Sequence, residues 1–270
     1  MNEIPGILGE IVEKRLVTIE QAKKLHSLKE VRSVAENCET PLSLQESLST
    51  RTGISLIAEM KRSSPSAGSL DPDLDPAQRA TLYCDAGAAA ISVLTEHDYF
   101  SGSIEDLTAA TRIARPSNVP VLRKDFIVDE YQIHEARSAG ADCILLIIAI
   151  LDPSQYADLF AVSTSMGMDV LVEVFDEPEL DIAMEIEPPI VGVNNRNLKT
   201  LKTSLSVFEQ LAKKIPPDQI KVAESGMKNS TDVKRMGRAG AKAVLVGESL
   251  MRAGGNVGNL AREMAEIQVS

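Results

Sequence analysis

The stretch from Ile54 to Leu70 reads I-S-L-I-A-E-M-K-R-S-S-P-S-A-G-S-L, and its reading decides the fold. The apolar run Ile54–Met60 suits a strand, on which residues two apart share a face, so Glu59 and Lys61 lie above Ile57. A strand opening a nucleotide-binding doubly wound sheet would run into a glycine-rich loop. This one runs into K-R-S-S-P-S-A-G-S-L, with neither G-x-G-x-x-G nor G-x-x-x-x-G-K-[ST], and nucleotide binding of either kind has no support. It ends instead on a carboxylate and an ammonium group.

The pattern repeats along the chain. Seven more short apolar segments follow, at 89–95, 119–124, 142–148, 169–174, 189–193, 220–224 and 243–246. Their starts lie roughly 20–35 residues apart, about one βα unit. Amphipathic stretches lie between them, such as 75–86, 130–139 and 204–214, and Gly140 and Gly240 fall where a helix hands over to a strand. Eight such units in 270 residues predict a (β/α)8 TIM barrel, which typically takes about 250.

Ahead of the barrel, residues 1–50 are helical in pattern. Ile7, Leu8, Ile11, Val12 and Leu16 recur at helical spacing, Thr18 and Gln21 form a capping-box pattern, and a short helix is expected after Pro41. The expectation is a single domain over 1–270, with 1–50 as a helical extension packed on a barrel at 51–270.

Composition sets the outer bounds. Hydrophobic residues make up 44% of the chain and aromatic residues only 3%, so aliphatic side chains must fill the core. A net charge of −11 favours solubility and repels nucleic acid and anionic membranes, so neither is expected as a partner. The three cysteines, Cys38, Cys84 and Cys143, are too few and too scattered for a disulfide framework or a metal pattern. The N-terminus lacks a basic, apolar leader. The longest apolar run, the nine residues Cys143–Leu151, is half of a membrane helix but suits a strand buried on both faces. A cytoplasmic location is expected.

In a barrel of this kind chemistry sits at the C-terminal ends of the strands. Glu59 and Lys61 end the first, Lys124 the third and Glu173 the fifth; Asn194 and Arg196 follow the sixth, and Glu224 and Ser225 the seventh. Such charges are costly to desolvate unless paired or used, and these can balance one another. The loops after strands 7 and 8 read E-S-G-M and V-G-E-S-L, the usual phosphate cradle, in which small residues let backbone N–H groups approach an anion. Phe100, in the loop after strand 2, is a candidate cover for an apolar substrate, with loop packing the alternative. His26, His97 and His134 do not form a site.

Taken in order, I-A-E-M-K-R-S-S-P-S, S-V-L-T-E-H-D-Y-F-S-G-S, L-R-K-D-F-I-V-D-E-Y-Q-I, L-V-E-V, V-G-V-N-N-R-N-L-K-T-L, A-E-S-G-M and V-G-E-S-L-M-R resemble the indole-3-glycerol phosphate synthases over essentially the whole chain. The resemblance implies catalytic roles for Glu59, Lys61, Lys124, Glu173, Asn194 and Ser225. It implies substrate contacts for Arg196 and a phosphate site at Ser64, Gly226, Gly247 and Glu248, the last through its backbone N–H. Glu224 and Phe100 complete the substrate-binding set. The implied substrate is a carboxyphenylamino deoxyribulose phosphate, which closes a ring, loses CO2 and loses water. No cofactor or metal is implied, and other tryptophan-pathway enzymes are candidate partners. On this reading Lys124 donates a proton to the ketone oxygen at ring closure. Lys61 and Glu173 share the dehydration, the direction of each proton open, and Glu59 orients Lys61. Two other readings stand beside it: a Schiff-base aldolase with Lys124 as nucleophile, and a non-catalytic binding protein on the same scaffold.

Overall fold

A computed structural model describes residues 4, 6–198 and 200–268. Eight parallel strands close into a barrel: β1 (Ser55–Met60), β2 (Ala90–Leu94), β3 (Val121–Lys124), β4 (Cys143–Ile147), β5 (Asp169–Val174), β6 (Ile190–Asn194), β7 (Ile220–Glu224) and β8 (Ala243–Val246). Each pairs with its neighbours in chain order, and β8 closes on β1 with Ser55 opposite Ala243. All eight lie within a residue or two of the positions read from the apolar runs. Those runs are near-continuous because both faces of each strand are buried, one by the barrel interior and one by helices.

The order of elements follows from local chemistry. Asp75, Ser103, Asp129, Asp152, Asp176 and Asn229 each accept backbone N–H bonds at the start of a helix, which satisfies orphan donors of the first turn. These helices are α4 (Pro76–Asp85), α5 (Ile104–Ala114), α6 (Glu130–Ser138), α7 (Pro153–Ser165), α8 (Glu177–Met184) and α10 (Ser230–Arg238). Between α8 and α10 lies α9 (Ser206–Leu211); α11 (Glu248–Arg252) and α12 (Val257–Ala265) follow β8. A small antiparallel hairpin, Ser63–Ser64 against Gly68–Ser69, follows β1; a single apolar periodicity could not announce it.

The extension holds α1 (Ile7–Leu25), α2 (Leu28–Glu36) and α3 (Leu44–Ser49). The capping box expected at Thr18 and Gln21 is not where a helix starts. Residue 18 lies inside α1, its hydroxyl donating to the Arg15 carbonyl at 2.9 Å. The break comes at His26, and Ser27 with Glu30 forms the capping box of α2. Continuous burial of Leu8, Ile11, Val12 and Ile19 along one face keeps α1 whole through the weaker local signal. The extension is tied to the barrel along its length: Arg15 to Asp125 at 3.0 Å, Lys23 to Asp129 at 2.7 Å, the Leu42 N–H to Asp142 at 2.8 Å, and the Ser43 hydroxyl to Asp169 at 2.9 Å. Leu44 and Leu48 of α3 are fully buried.

Candidate active site

Barrel interiors fill in layers of four side chains drawn from alternate strands. The topmost layer contributed by the odd strands is Glu59 from β1, Lys124 from β3, Glu173 from β5 and Glu224 from β7. Lys124 Nζ donates to Glu173 at 3.2 Å and lies 3.9 Å from Glu224. Asn194, ending β6, donates to the second Glu173 oxygen at 3.0 Å. Above the layer, Lys61 pairs with Glu59. All three carboxyl groups are almost wholly buried.

Burial alone would lower the Lys124 ammonium, but Glu173, Glu224 and Glu59 reverse this and hold it above its ordinary range. For Glu173, burial works upward, and Lys124 and Asn194 more than offset it, so the carboxylate is kept ionised. Glu224 goes the other way. Burial and the adjacent Glu173 charge push its carboxyl well above the usual range. The cluster therefore sets two lysines, Lys61 and Lys124, against three glutamates, Glu59, Glu173 and Glu224, and Glu224 is the one whose ionisation burial and Glu173 oppose.

Two glycines make room for this arrangement. A Cβ on Gly192 would overlap Glu224 Oε1, and a Cβ on Gly247 would overlap Glu59 Oε1. The sequence suggested Gly247 for its approach to phosphate; packing against Glu59 is a second reason for glycine there.

A cavity of about 1040 Å³ opens above the layer, and every residue singled out from the sequence lines it. Ser225 has φ 62°, an uncommon conformation for a residue with a side chain, and Gly226 follows at φ 89°. Arg196 is held by Ser66, by Thr203 at 3.2 Å and by Glu248 at 3.0 Å; Glu248 also accepts from Arg252 at 3.2 Å. Phe100 faces Phe126 with ring centroids 6.0 Å apart, and Leu94, Leu145, Ile7 and Ile11 extend the apolar wall.

Several contributors escaped the sequence reading. Phe126 stands two residues past Lys124 in L-R-K-D-F, where an aromatic ring beside a candidate acid is a readable signal. The α1 residues Ile7, Leu8 and Ile11 carried none, because only tertiary packing brings them to the mouth. Asp125 and Arg123 flank Lys124 and form a buried network with Arg15, Thr95 and Glu135. Among the described residues no group of His, Cys, Asp and Glu is arranged to hold a metal ion. Also among them, no helix is long and apolar enough to cross a membrane.

Fold and site together define a (β/α)8-barrel enzyme with paired acids and bases beside an aromatic wall. Solved structures similar to it at 14% identity include thiamine phosphate pyrophosphorylase from Pyrococcus furiosus, covering 82% of this chain and 96% of that one at TM-score 0.61. Another is 3-hexulose-6-phosphate synthase from Salmonella typhimurium, covering 79% and 97%, also at 0.61. At that identity they speak for the fold alone. Curated relatives are much nearer. The indole-3-glycerol phosphate synthase of Rhodospirillum rubrum is 47% identical over 91% of this chain and 94% of its own length. Indole-3-glycerol phosphate synthase 2 of Ralstonia nicotianae is 40% identical over 98% of both. The family profile described as indole-3-glycerol phosphate synthase matches residues 8–264. The chain belongs to the indole-3-glycerol phosphate synthase family, carboxy-lyases of tryptophan biosynthesis acting on a small phosphorylated substrate.

Proposed function

We propose that this mouth converts 1-(2-carboxyphenylamino)-1-deoxyribulose 5-phosphate to indole-3-glycerol phosphate with the following division of labour. The ring carbon bearing the carboxylate attacks the ketone carbon, and Lys124 gives a proton to the ketone oxygen as it gains charge. The observation that carries this is the Lys124 ammonium kept charged at the floor of the cavity by Glu173, Glu224 and Glu59. A preorganised cation at a developing oxyanion, away from bulk water, supplies acid and electrostatic catalysis together. The C–CO2 bond then breaks, and its electron pair restores ring aromaticity. In the dehydration Lys61 protonates the departing hydroxyl while ionised Glu173 takes the proton from the neighbouring carbon, which forms the indole double bond. Glu59 orients Lys61, Asn194 orients Glu173, and Glu224 completes the ring of carboxyl groups around Lys124.

The phosphate is assigned to Ser64, Gly226, Gly247 and the Glu248 backbone, Arg196 to the anionic substrate, and the anthranilate ring to the Phe100–Phe126 wall, while Ser225 stays with the catalytic set. Extension and barrel are taken as one domain, since α1 walls the same cavity. A cytoplasmic enzyme without nucleic-acid or membrane partners fits the acidic surface, and other tryptophan-pathway enzymes are the proposed protein partners. A Schiff-base aldolase is disfavoured because its lysine must react as a free amine, and Lys124 is held as an ammonium. The test is turnover of the carboxyphenylamino substrate followed by indole fluorescence, with borohydride added in parallel. Fluorescent product without a reduced lysine adduct supports the reading; an adduct on Lys124 overturns it.

A further inference from the structure

Glu96 is the one residue of T-E-H-D-Y-F-S-G-S whose side chain turns back on its own loop and closes it. It follows β2 and is 1% exposed, yet it does not line the cavity. Its carboxylate accepts the Asp98 N–H at 2.9 Å through one oxygen. Through the other it accepts those of Tyr99 at 2.8 Å and Phe100 at 3.1 Å. Its carbonyl accepts the Gly102 N–H at 2.9 Å. The chain is thus curled around one buried carboxyl group, and the last amide it holds belongs to Phe100.

Burial pushes the Glu96 carboxyl above its ordinary range, and bonds to three consecutive amides offset part of that cost only while the loop keeps this curl. Few other geometries place three successive N–H groups on one carboxyl group, so the side chain sets the loop's shape as well as its stability. We propose that Glu96 is a positioning residue: by gripping the amides of residues 98–100 it sets the Phe100 ring against Phe126 and so fixes recognition of the substrate's aromatic ring. This rests on Phe100 walling the ring subsite, as assigned above.

The test compares two inhibitors, the reduced, non-cyclising carboxyphenylamino deoxyribitol phosphate and inorganic phosphate, on Glu96→Gln, Phe100→Ala and the double variant. Glutamine keeps the shape but turns an NH2 toward N–H donors. Expected is a roughly tenfold weaker Kd for the ring-bearing inhibitor in Glu96→Gln, with phosphate inhibition unchanged within about twofold. Native-state hydrogen exchange at the amides of residues 98–100 is expected to speed up, with the barrel strands unaffected. In the Phe100→Ala background, Glu96→Gln is expected to cost nothing further. Equal losses for both inhibitors, or full additivity with Phe100→Ala, would overturn the inference. If Phe100→Ala weakens the ring-bearing inhibitor and Glu96→Gln does not, this inference fails and the ring wall stands. If Phe100→Ala itself is neutral, both fail. Glu96→Asp keeps the charge but is one methylene too short for all three amides. It is expected to fall between wild type and Gln on the same readouts, and an equal effect on both inhibitors there also counts against the inference.

Discussion

Lys124 and Glu173 meet at 3.2 Å across the barrel although they come from β3 and β5, strands separated in the sheet by β4. The contact is made through the interior, not along a ladder. It exists because alternate strands send side chains to the same height. An ammonium so placed has Glu173, whose carboxyl is held below its ordinary range, on one side and Glu224, whose carboxyl is pushed well above it, on the other, and together with Glu59 they hold the ammonium above its own ordinary range.

Lys124→Met keeps the bulk and removes the proton. Interactions that matter mainly in the transition state lower kcat when lost. General acid catalysis contributes roughly 100- to 10,000-fold, and a kcat loss in that range is expected, with KM changed no more than about tenfold. Lys124→Arg is expected to recover little, since guanidinium has a different shape and gives up its proton poorly. Steady-state kinetics on folded variants decide it; near-normal kcat in the Met variant would move the acid's role to Lys61.

Glu224→Gln tests whether Glu224 is a neutral acid. Its folded-state carboxyl lies well above the ordinary value, so the unfolded chain releases a proton that the folded chain keeps. Wild-type stability from this group is full below the ordinary carboxylate pKa and is lost as pH rises from there toward the folded value. Glutamine mimics the neutral form at every pH. Its Tm relative to wild type is therefore expected to improve steadily from pH 5 to pH 8. A constant difference across that range would show that Glu224 is ionised in the folded protein.

The fold was legible because burial on both faces leaves an unbroken apolar run for each strand, and a polar end marks where the run reaches the mouth. Glu59, Lys124, Glu173 and Glu224 could be read by parity for that reason. What parity could not show is that Glu173 and Glu224 are pushed in opposite directions, since that depends on distances between strands far apart in sequence. The hairpin after β1 and the α1 wall were invisible for a similar reason: their positions depend on partners rather than on local pattern. The cap misplaced at Thr18 shows the reverse case, a good local motif overruled by the buried face of α1.

Gly247→Ala is expected to harm chemistry as well as binding. The new methyl group would overlap Glu59 Oε1 and displace the carboxylate that holds Lys61. If glycine served only phosphate approach, KM would rise alone. With Glu59 displaced, kcat is expected to fall by at least about tenfold alongside any KM change, because the oriented acid for dehydration is lost. A pure KM effect would show that the Glu59 contact relaxes without consequence.

Arg15→Ala tests whether the extension steadies the segment that carries Lys124. Arg15 on α1 reaches Asp125 at 3.0 Å, and Asp125 also receives Thr95 at 2.6 Å, Arg123 at 3.0 Å and the Phe126 N–H at 2.8 Å. Burial would raise the Asp125 carboxyl, but Arg15, Arg123 and Thr95 outweigh it and hold it below the ordinary value. Removing Arg15 leaves a buried carboxylate with one fewer cation, and a hydrogen bond to a charged group contributes about 1.5–3 kcal/mol. A loss of about 2 kcal/mol at pH 7 is expected. A folded-state pKa that is depressed contributes stability above the unfolded value, and this is lost as pH falls through the folded one. The gap between Arg15→Ala and wild type is therefore expected to close as pH drops from about 5 toward 3, within the range where both remain folded. Asp125 also adjoins Lys124 and donates its neighbour Phe126 to the ring wall, so kcat is expected to fall several-fold at pH 7 even where the variant is fully folded. Denaturant titrations at a series of pH values, read with kinetics at one temperature, separate the two effects. A stability loss independent of pH would assign Arg15 to helix packing alone, and an unchanged kcat would confine the network to stability.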